Sequence, residues 1–234
     1  MEKIKEEVPE KLRIAVLLSF ISGYINAFTY NNAGELFAGA QTGNVIFMAL
    51  HFAKGNLEKA VEFLIPIISF MIGQIFIYCF RNFFQRRGHK GYIHSSLLML
   101  FIMIMLIVLL PFFDYHFIVV TLAFFAAIQS DTFQRLRGFS YATIMMTGNV
   151  KNAPRLLIEG LVQRDRELLV RGFLLFLIIF SFMIGVAIST YFTQFVKKSA
   201  LVPLILPLSY INYVLFKEEH SVIDVVKSKI RKIK

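Results

Sequence analysis

One cysteine in 234 residues, Cys79, and a charged fraction of 17% are the first constraints on this chain. The lone thiol lies inside an apolar stretch, so there is no disulfide framework and no cysteine metal site, and it reads as a packing residue before a reactive one. Charge this scarce, beside 57% hydrophobic residues and a mean hydropathy of +0.65, leaves more apolar surface than one soluble core can hide. Lipid must be the main solvent. Acidic residues are the scarcer sign, 15 against 25 lysines and arginines, for a net charge of +10. The basic excess sits between apolar segments and in the tail, with no soluble domain to carry a binding face. That points to membrane lipid as a partner and away from nucleic acid. Catalytic signatures are also missing: His51, His89, His94, His116 and His220 are scattered, and there is no HExxH, nucleophile elbow, Walker loop or dinucleotide fingerprint. We expect no enzyme, no cofactor and no metal.

What the chain does have is a word that occurs twice, Thr42-Gly43-Asn44-Val45 and Thr147-Gly148-Asn149-Val150, 105 positions apart. At that spacing Asn26 falls on Asp131 and Phe28 on Phe133. A second word follows each copy, Ser69-Phe70-Met71-Ile72-Gly73 and Ser181-Phe182-Met183-Ile184-Gly185, now 112 apart. The same words in the same order mark a duplicated membrane unit.

Leu12 to about Asn31 is long enough to span, but its second half carries Ser22, Gly23, Asn26, Thr29 and Asn31 and cannot face lipid. Ala38-Gly39-Ala40 could pass for a signal-peptidase site, but the polar stretch before it makes a poor signal core, so the N-terminus reads as mature protein. Gln41 to Ala53 is too short to cross comfortably. Val61 to Phe80 is a full span with Pro66 as a kink point, Ser95 to Phe113 is a clean span, and Phe117 to about Gln134 repeats the pattern of the first helix. The second short segment, Tyr141 to Ala153, is expected to stop at Pro154, with Arg155 to Arg171 an amphipathic helix on the membrane surface. Phe173 to about Phe195 and Ala200 to Phe216 complete the spans.

The basic residues decide whether the two short segments cross. If each dips in and returns there are six spans, and the N-terminal stretch, Arg81 to Lys90, Arg135 to Arg171 and the tail all face the cytoplasm, as the positive-inside tendency asks. Eight spans would push Arg81 to Lys90 outside. Six is preferred, and an odd number of spans per unit makes the repeats inverted. The expected fold is therefore an all-α membrane protein with about six transmembrane helices in two three-helix inverted repeats, each holding a short broken or re-entrant Thr-Gly-Asn helix. Its parts are a cytoplasmic segment 1–11, repeats 12–113 and 114–216, and a basic cytoplasmic tail 217–234.

Two readings of the Thr-Gly-Asn words stay open. In one, Thr42, Gly43 and Asn44 with Thr147, Gly148 and Asn149 form a substrate site, since a helix start inside the membrane presents free N–H groups and partial positive charge to an anion. In the other they cap the half-helices and let the repeats pack closely, Gly39 and Gly43 standing at close-packing spacing. Asn26 and Gln129, the polar groups of the helices preceding each word, join the candidate substrate-binding set; Gln74 and Gln129 also suit interhelical hydrogen bonding. Asp131 is the most informative ionisable residue, because a carboxylate near a span is costly. It reads either as a coupling group or as half of a local ion pair with Arg135, four residues on. Glu35 reads as a solvated loop charge.

The series Gly23, Asn26, Gln41-Thr42-Gly43-Asn44, then Gln129, Arg135, Gly138 and Met146-Thr147-Gly148-Asn149, resembles the YoaK-like family of bacterial inner-membrane proteins, a domain of unknown function. The resemblance covers about residues 12 to 216 and implies a multi-pass bacterial inner-membrane protein. That family often has an aspartate where this chain has Asn26. The leading functional expectation is a transporter or permease for a small solute, an anionic one included. The alternatives are a channel, or a non-transporting structural or partner-binding membrane protein. A homo-oligomer is compatible with either.

Overall fold

The computed structural model describes residues 8–217; the N-terminal stretch 1–7 and the basic tail after Lys217 lie outside the described residues. After a 3-10 turn at Val8–Glu10, the helices are α1 (Leu12–Asn32), α2 (Gln41–Ala53), α3 (Leu57–Arg86), α4 (Gly91–Leu109), α5 (Tyr115–Thr132), α6 (Met146–Gln163) and α7 (Arg166–Val196). A 3-10 segment, Lys197–Leu204, then leads into α8, residues 205–217. Strands β1 (Arg135–Leu136) and β2 (Phe139–Ser140) form a small hairpin whose turn residues Arg137 and Gly138 both have positive φ, as a tight two-residue turn requires. Among the described residues, four helical stretches are long and apolar enough to cross a membrane: Leu12–Asn32, Leu57–Arg86, Gly91–Leu109 and Arg166–Lys217, the last comprising α7, the 3-10 segment and α8. Large apolar side chains such as Ile75, Phe101, Phe195 and Leu206 are exposed along them, which suits lipid and not water. The chain is an all-α, multi-pass integral membrane protein.

Starts and stops follow the caps. Asn56 Oδ1 accepts from Lys59 N (3.2 Å), Asp114 Oδ1 from Phe117 N (3.2 Å), and Asp165 Oδ1 from Glu167 N (2.8 Å), opening α3, α5 and α7. The Phe117 N–H, with His116 beside it, holds the Asp114 carboxyl below the usual carboxylate range. Helix α2 has the bounds expected of it, whereas α3 extends four residues earlier and six later than Val61 to Phe80. Two expectations fail. Pro154 does not stop the second short segment but lies inside α6, on its exposed side, because the opposite side is fastened to α7: a Cβ on Gly172 would come within 3.0 Å of Ala153 O, and one on Gly160 within 2.8 Å of Leu169 N. Arg155 to Arg171 is not a separate surface helix either. It divides at Arg164, which caps α6 in the left-handed conformation (φ 54°), and Arg166 begins α7. At 18 residues against 13, α6 absorbs most of the seven-residue difference between the repeat spacings.

The repeated Ser-Phe-Met-Ile-Gly words set the packing, and they do so crosswise. Ser181 Oγ on α7 donates to Val16 O on α1 (2.8 Å), and Ser69 Oγ on α3 donates to Val120 O on α5 (2.7 Å). Four residues on, each word's glycine lets backbones touch: a Cβ on Gly185 would lie 2.1 Å from Phe20 O, and one on Gly73 would lie 2.7 Å from Ala127 Cβ and 3.2 Å from Phe124 O. Gly23 on α1 returns the contact, its Cβ position 2.0 Å from Phe182 O. The contacts advance together, Val16 with Ser181 and Asn32 with Thr193, so α1 and α7 run parallel; α3 and α5 do likewise, from Ser69 with Val120 to Arg81 with Asp131. The main core lies where α1, α4, α5 and α8 converge, around Leu18, Ile25, Met103, Phe125 and Leu208.

Candidate functional site: the polar junction of α1, α5 and the Thr-Gly-Asn loops

The polar half of α1 is consumed by the loop that leads into α2. Asn26 Oδ1 accepts from Gly39 N (2.9 Å) and Ala40 N (3.0 Å), Thr29 Oγ1 accepts from Ala38 N (3.1 Å), and Asn26 Nδ2 donates to Ser22 O (2.8 Å). Three successive loop N–H groups are thus satisfied by two buried side chains, which removes the cost of carrying irregular backbone into an apolar interior. Gln129 on α5 joins the cluster from the other side, donating to Leu18 O (3.0 Å) and Ser22 Oγ (2.6 Å). Gly39 has no room for a side chain: a Cβ there would meet Ile144 Cγ2 at 2.5 Å, Asn26 Nδ2 at 3.3 Å and Ala126 Cβ at 3.5 Å. Ile144 belongs to the loop before α6, so the two loops abut at this point, beside Asn26. Gln129 Oε1, Ser19 Oγ, Thr132 Oγ1, Thr143 Oγ1 and the Tyr141 hydroxyl are buried in α1, α5 and the second loop without a protein hydrogen-bond partner. Buried polar atoms in this state are commonly satisfied by water or ligand.

The two Thr-Gly-Asn words have matching geometry. Asn44 Oδ1 accepts from Phe37 N (3.0 Å) and its Nδ2 donates to Phe37 O (2.8 Å) and Gln41 Oε1 (2.9 Å). Asn149 Oδ1 accepts from Ala142 N (3.1 Å) and its Nδ2 donates to Ala142 O (2.6 Å). Each amide closes a ring on the residue seven positions earlier, in the manner of a paired strand, and both side chains are buried. The helix-capping residues are instead Ala40 and Met145, neither with a side-chain cap. Thr42 and Thr147 are exposed; a Cβ on Gly43 would lie 3.0 Å from the Phe37 ring, whereas one on Gly148 would meet nothing within 4 Å. Close packing therefore accounts for Gly39 and Gly43 and not for Gly148.

Asp131 has a different partner from the one its spacing offered. Helix α5 ends at Thr132, so Arg135 is in β1 and exposed, off the helical face that the four-residue spacing assumed. Asp131 Oδ2 accepts instead from Arg81 Nη1 at 2.6 Å, and the same nitrogen donates to Asp131 O (2.7 Å). In the sequence Arg81 is one charge of a basic linker, and no spacing connects it to Asp131, because only the α3–α5 packing brings them together. The pair lines a cavity of about 190 Å³ with Glu10, Gln134 and Arg135. Glu10 Oε2 also accepts from Gly138 N (2.7 Å), tying the N-terminal turn to the hairpin. A second groove, of about 450 Å³, is lined by Asn26, Ala27, Tyr30, Phe37, Phe182 and Thr190. The 105-residue spacing maps Asn26, Ala27 and Tyr30 onto Asp131, Thr132 and Arg135, so the two hollows occupy equivalent positions in the two halves. One carries an ion pair and the other is uncharged. We expect Arg81→Ala and Asp131→Ala each to lower stability by about 1–2 kcal/mol, as befits a half-buried pair, with Arg135→Ala close to neutral. A double-mutant cycle on thermal midpoints checks this; additive effects of the first two would contradict the pairing.

Among the described residues no cluster of three or more His, Cys, Asp or Glu side chains could hold a metal ion. No curated protein and no solved structure matches the chain. A family model described as Protein of unknown function (DUF1275) matches residues 14–213, spanning both Thr-Gly-Asn words and both Ser-Phe-Met-Ile-Gly words. With that much of its length matched, and with the motifs that resembled the YoaK-like proteins inside the match, the chain belongs to the DUF1275 family.

Proposed function

We propose that this protein is a small-solute transporter of the cell membrane, built from two inverted three-span repeats, with its site at the junction of the two Thr-Gly-Asn loops. The carrying observation is the abutment of Gly39 and Ile144 beside Asn26, with Gln129 hydrogen-bonded to the same stretch of α1. Six spans with both described ends cytoplasmic accord with which helix ends meet. Glu10, Arg81, Tyr92 and Asp131 share one cavity, while Lys59 Nζ donates to Gly34 O (2.9 Å) and Tyr115 approaches Glu62 (3.4 Å). The start of α1 therefore meets the end of α5, and its end meets the start of α5, as antiparallel spans require. The loop before α2 descends from that second end to Asn26, and α2 leads back to it, the course of a re-entrant segment.

In this reading the solute meets Gln129, whose Oε1 has no protein partner, and the starts of α2 and α6 at Thr42, Gly43, Thr147 and Gly148, while Asn26 holds the first loop through its backbone bonds. Asn44 and Asn149 shape the loops without touching it, since their amides are engaged with backbone. The Asp131–Arg81 pair is the coupling element, charged in one half only. The engagement of both asparagines favours one alternative, a purely structural or partner-binding membrane protein whose loops are stapled shut. Two measurements separate them: counterflow of labelled carboxylates, amino acids and polyols into proteoliposomes, and labelling of Thr42→Cys and Thr147→Cys by water-soluble thiol reagents in a Cys79→Ser background. Flux that falls in Gln129→Ala while the protein stays folded supports transport. No flux across the panel, with both cysteines unreactive, overturns it.

A further inference from the structure

We propose that the C-terminal end of α3 carries a binding site for one anionic phospholipid, a site independent of the transport reading. A groove of about 530 Å³ runs along this helix, lined by Tyr78, Cys79, Asn82, Phe83, Arg86 and Arg87. Above it the exposed face continues as Met71, Ile72 and Ile75, all more than half exposed. From Ile75 to Arg86 the helix rises about 16 Å, close to half of a hydrocarbon layer about 30 Å thick. The face therefore matches one leaflet: an acyl chain lies along Ile75 and Tyr78, and the headgroup reaches Asn82, Arg86 and Arg87.

Charge selects the headgroup. Arg86 and Arg87 are exposed, and among the described residues neither has a carboxylate partner, whereas Arg81 one turn above is taken by Asp131. The Arg87 guanidinium is held 3.8 Å over the Phe83 ring, which fixes its place and leaves its N–H groups free for an acceptor in the ring's plane of approach. Two guanidinium groups and the Asn82 amide make a donor set suited to a phosphodiester, which guanidinium binds through paired hydrogen bonds. A zwitterionic lipid brings its own ammonium to the same place and meets repulsion from both arginines, so phosphatidylglycerol or cardiolipin is favoured over phosphatidylcholine.

The test uses the full chain in a neutral detergent, titrated with phosphatidylglycerol or phosphatidylcholine while its thermal midpoint is followed. The expected result is a saturable rise with phosphatidylglycerol at a half-saturating concentration about tenfold below that for phosphatidylcholine, a difference of about 1.4 kcal/mol. Arg86→Gln with Arg87→Gln should erase that preference while Arg155→Gln keeps it, and millimolar inorganic phosphate should not reproduce the rise. Equal response to the two lipids, a response unchanged in the double variant, or a rise with phosphate alone overturns the site. So does oxidative cross-linking of two copies through Cys79, which would put a second chain in the groove. Should the double variant not fold, the comparison of the two lipids and phosphate on the native chain decides.

Discussion

Gly185→Ala is expected to unfold the protein or to leave it without a measurable folded population in detergent. The added Cβ would sit 2.1 Å from Phe20 O and 3.0 Å from Tyr24 N, and both neighbours are backbone atoms of a central helix that cannot turn aside. Gly23→Ala meets Phe182 O at 2.0 Å and should be as severe, because the two glycines face each other across the same α1–α7 contact. Overpacking in a well-filled interior costs about 1–3 kcal/mol and occasionally more; a clash with backbone on both helices belongs at or above the upper end. Relief requires α1 and α7 to separate, which stretches the bonds from Ser181 to Val16 and from Asn31 to Thr190 along the same seam. Gly73→Ala is the internal comparison. Its tightest neighbour is the Ala127 side chain at 2.7 Å, with backbone no nearer than 3.2 Å, so its loss should be smaller. Size-exclusion profiles and thermal midpoints of the three variants check the ranking, and a Gly185→Ala protein as stable as Gly73→Ala would refute the packing described.

Asn44→Ala and Asn149→Ala come next in expected size. Either substitution leaves a backbone N–H and a backbone C=O without their partner, at Phe37 or at Ala142. A buried polar group left unsatisfied costs about 1–3 kcal/mol, so each variant should lose at least that much, and the loss should appear as a lower thermal midpoint. Asn44→Asp retains the acceptor for Phe37 N but sets a buried carboxylate oxygen against Phe37 O and Gln41 Oε1, and should be at least as destabilising as alanine at neutral pH. An Asn44→Ala protein with native stability and no other defect than lost flux would instead assign the amide to the solute, and would restore the substrate-site reading that the geometry disfavours for this residue.

Much of the architecture was legible because it depends on local apolar periodicity. The bounds of α2, the length of α1 and the all-helical membrane class follow from runs and interruptions of hydrophobic residues. Where the reading failed, a tertiary contact had overridden a local rule. Pro154 breaks a helix in isolation, but α6 is fastened along α7 through Gly160 and Gly172 and continues past it. Asp131 pointed to Arg135 by helical spacing, yet the helix ended two residues earlier than expected and an arginine 50 positions away took the place. The β1–β2 hairpin is too short for any alternation to announce it, although Arg137-Gly138 carries the turn chemistry. The site itself was half legible. Asn26 and Gln129 stood out as polar groups in apolar helices, but their actual partners, the N–H groups of Gly39 and Ala40 and the hydroxyl of Ser22, arise only when the loop folds back on α1.

The proposed transport site depends on the course of the two Thr-Gly-Asn segments, and cysteine accessibility in intact cells tests it most directly. In a Cys79→Ser background, single cysteines replace Lys54 after α2, Arg87 after α3 and Val162 near the end of α6, all exposed. Gly160, though nearby, is unsuitable because its Cβ position is 2.8 Å from Leu169 N. A membrane-impermeant maleimide applied from outside should label position 54 alone, with 87 and 162 reacting only after the membrane is opened. Labelling at 87 from outside, with 54 protected, would mean that α2 crosses the membrane, that the repeats are parallel, and that the transport site proposed at their junction does not exist.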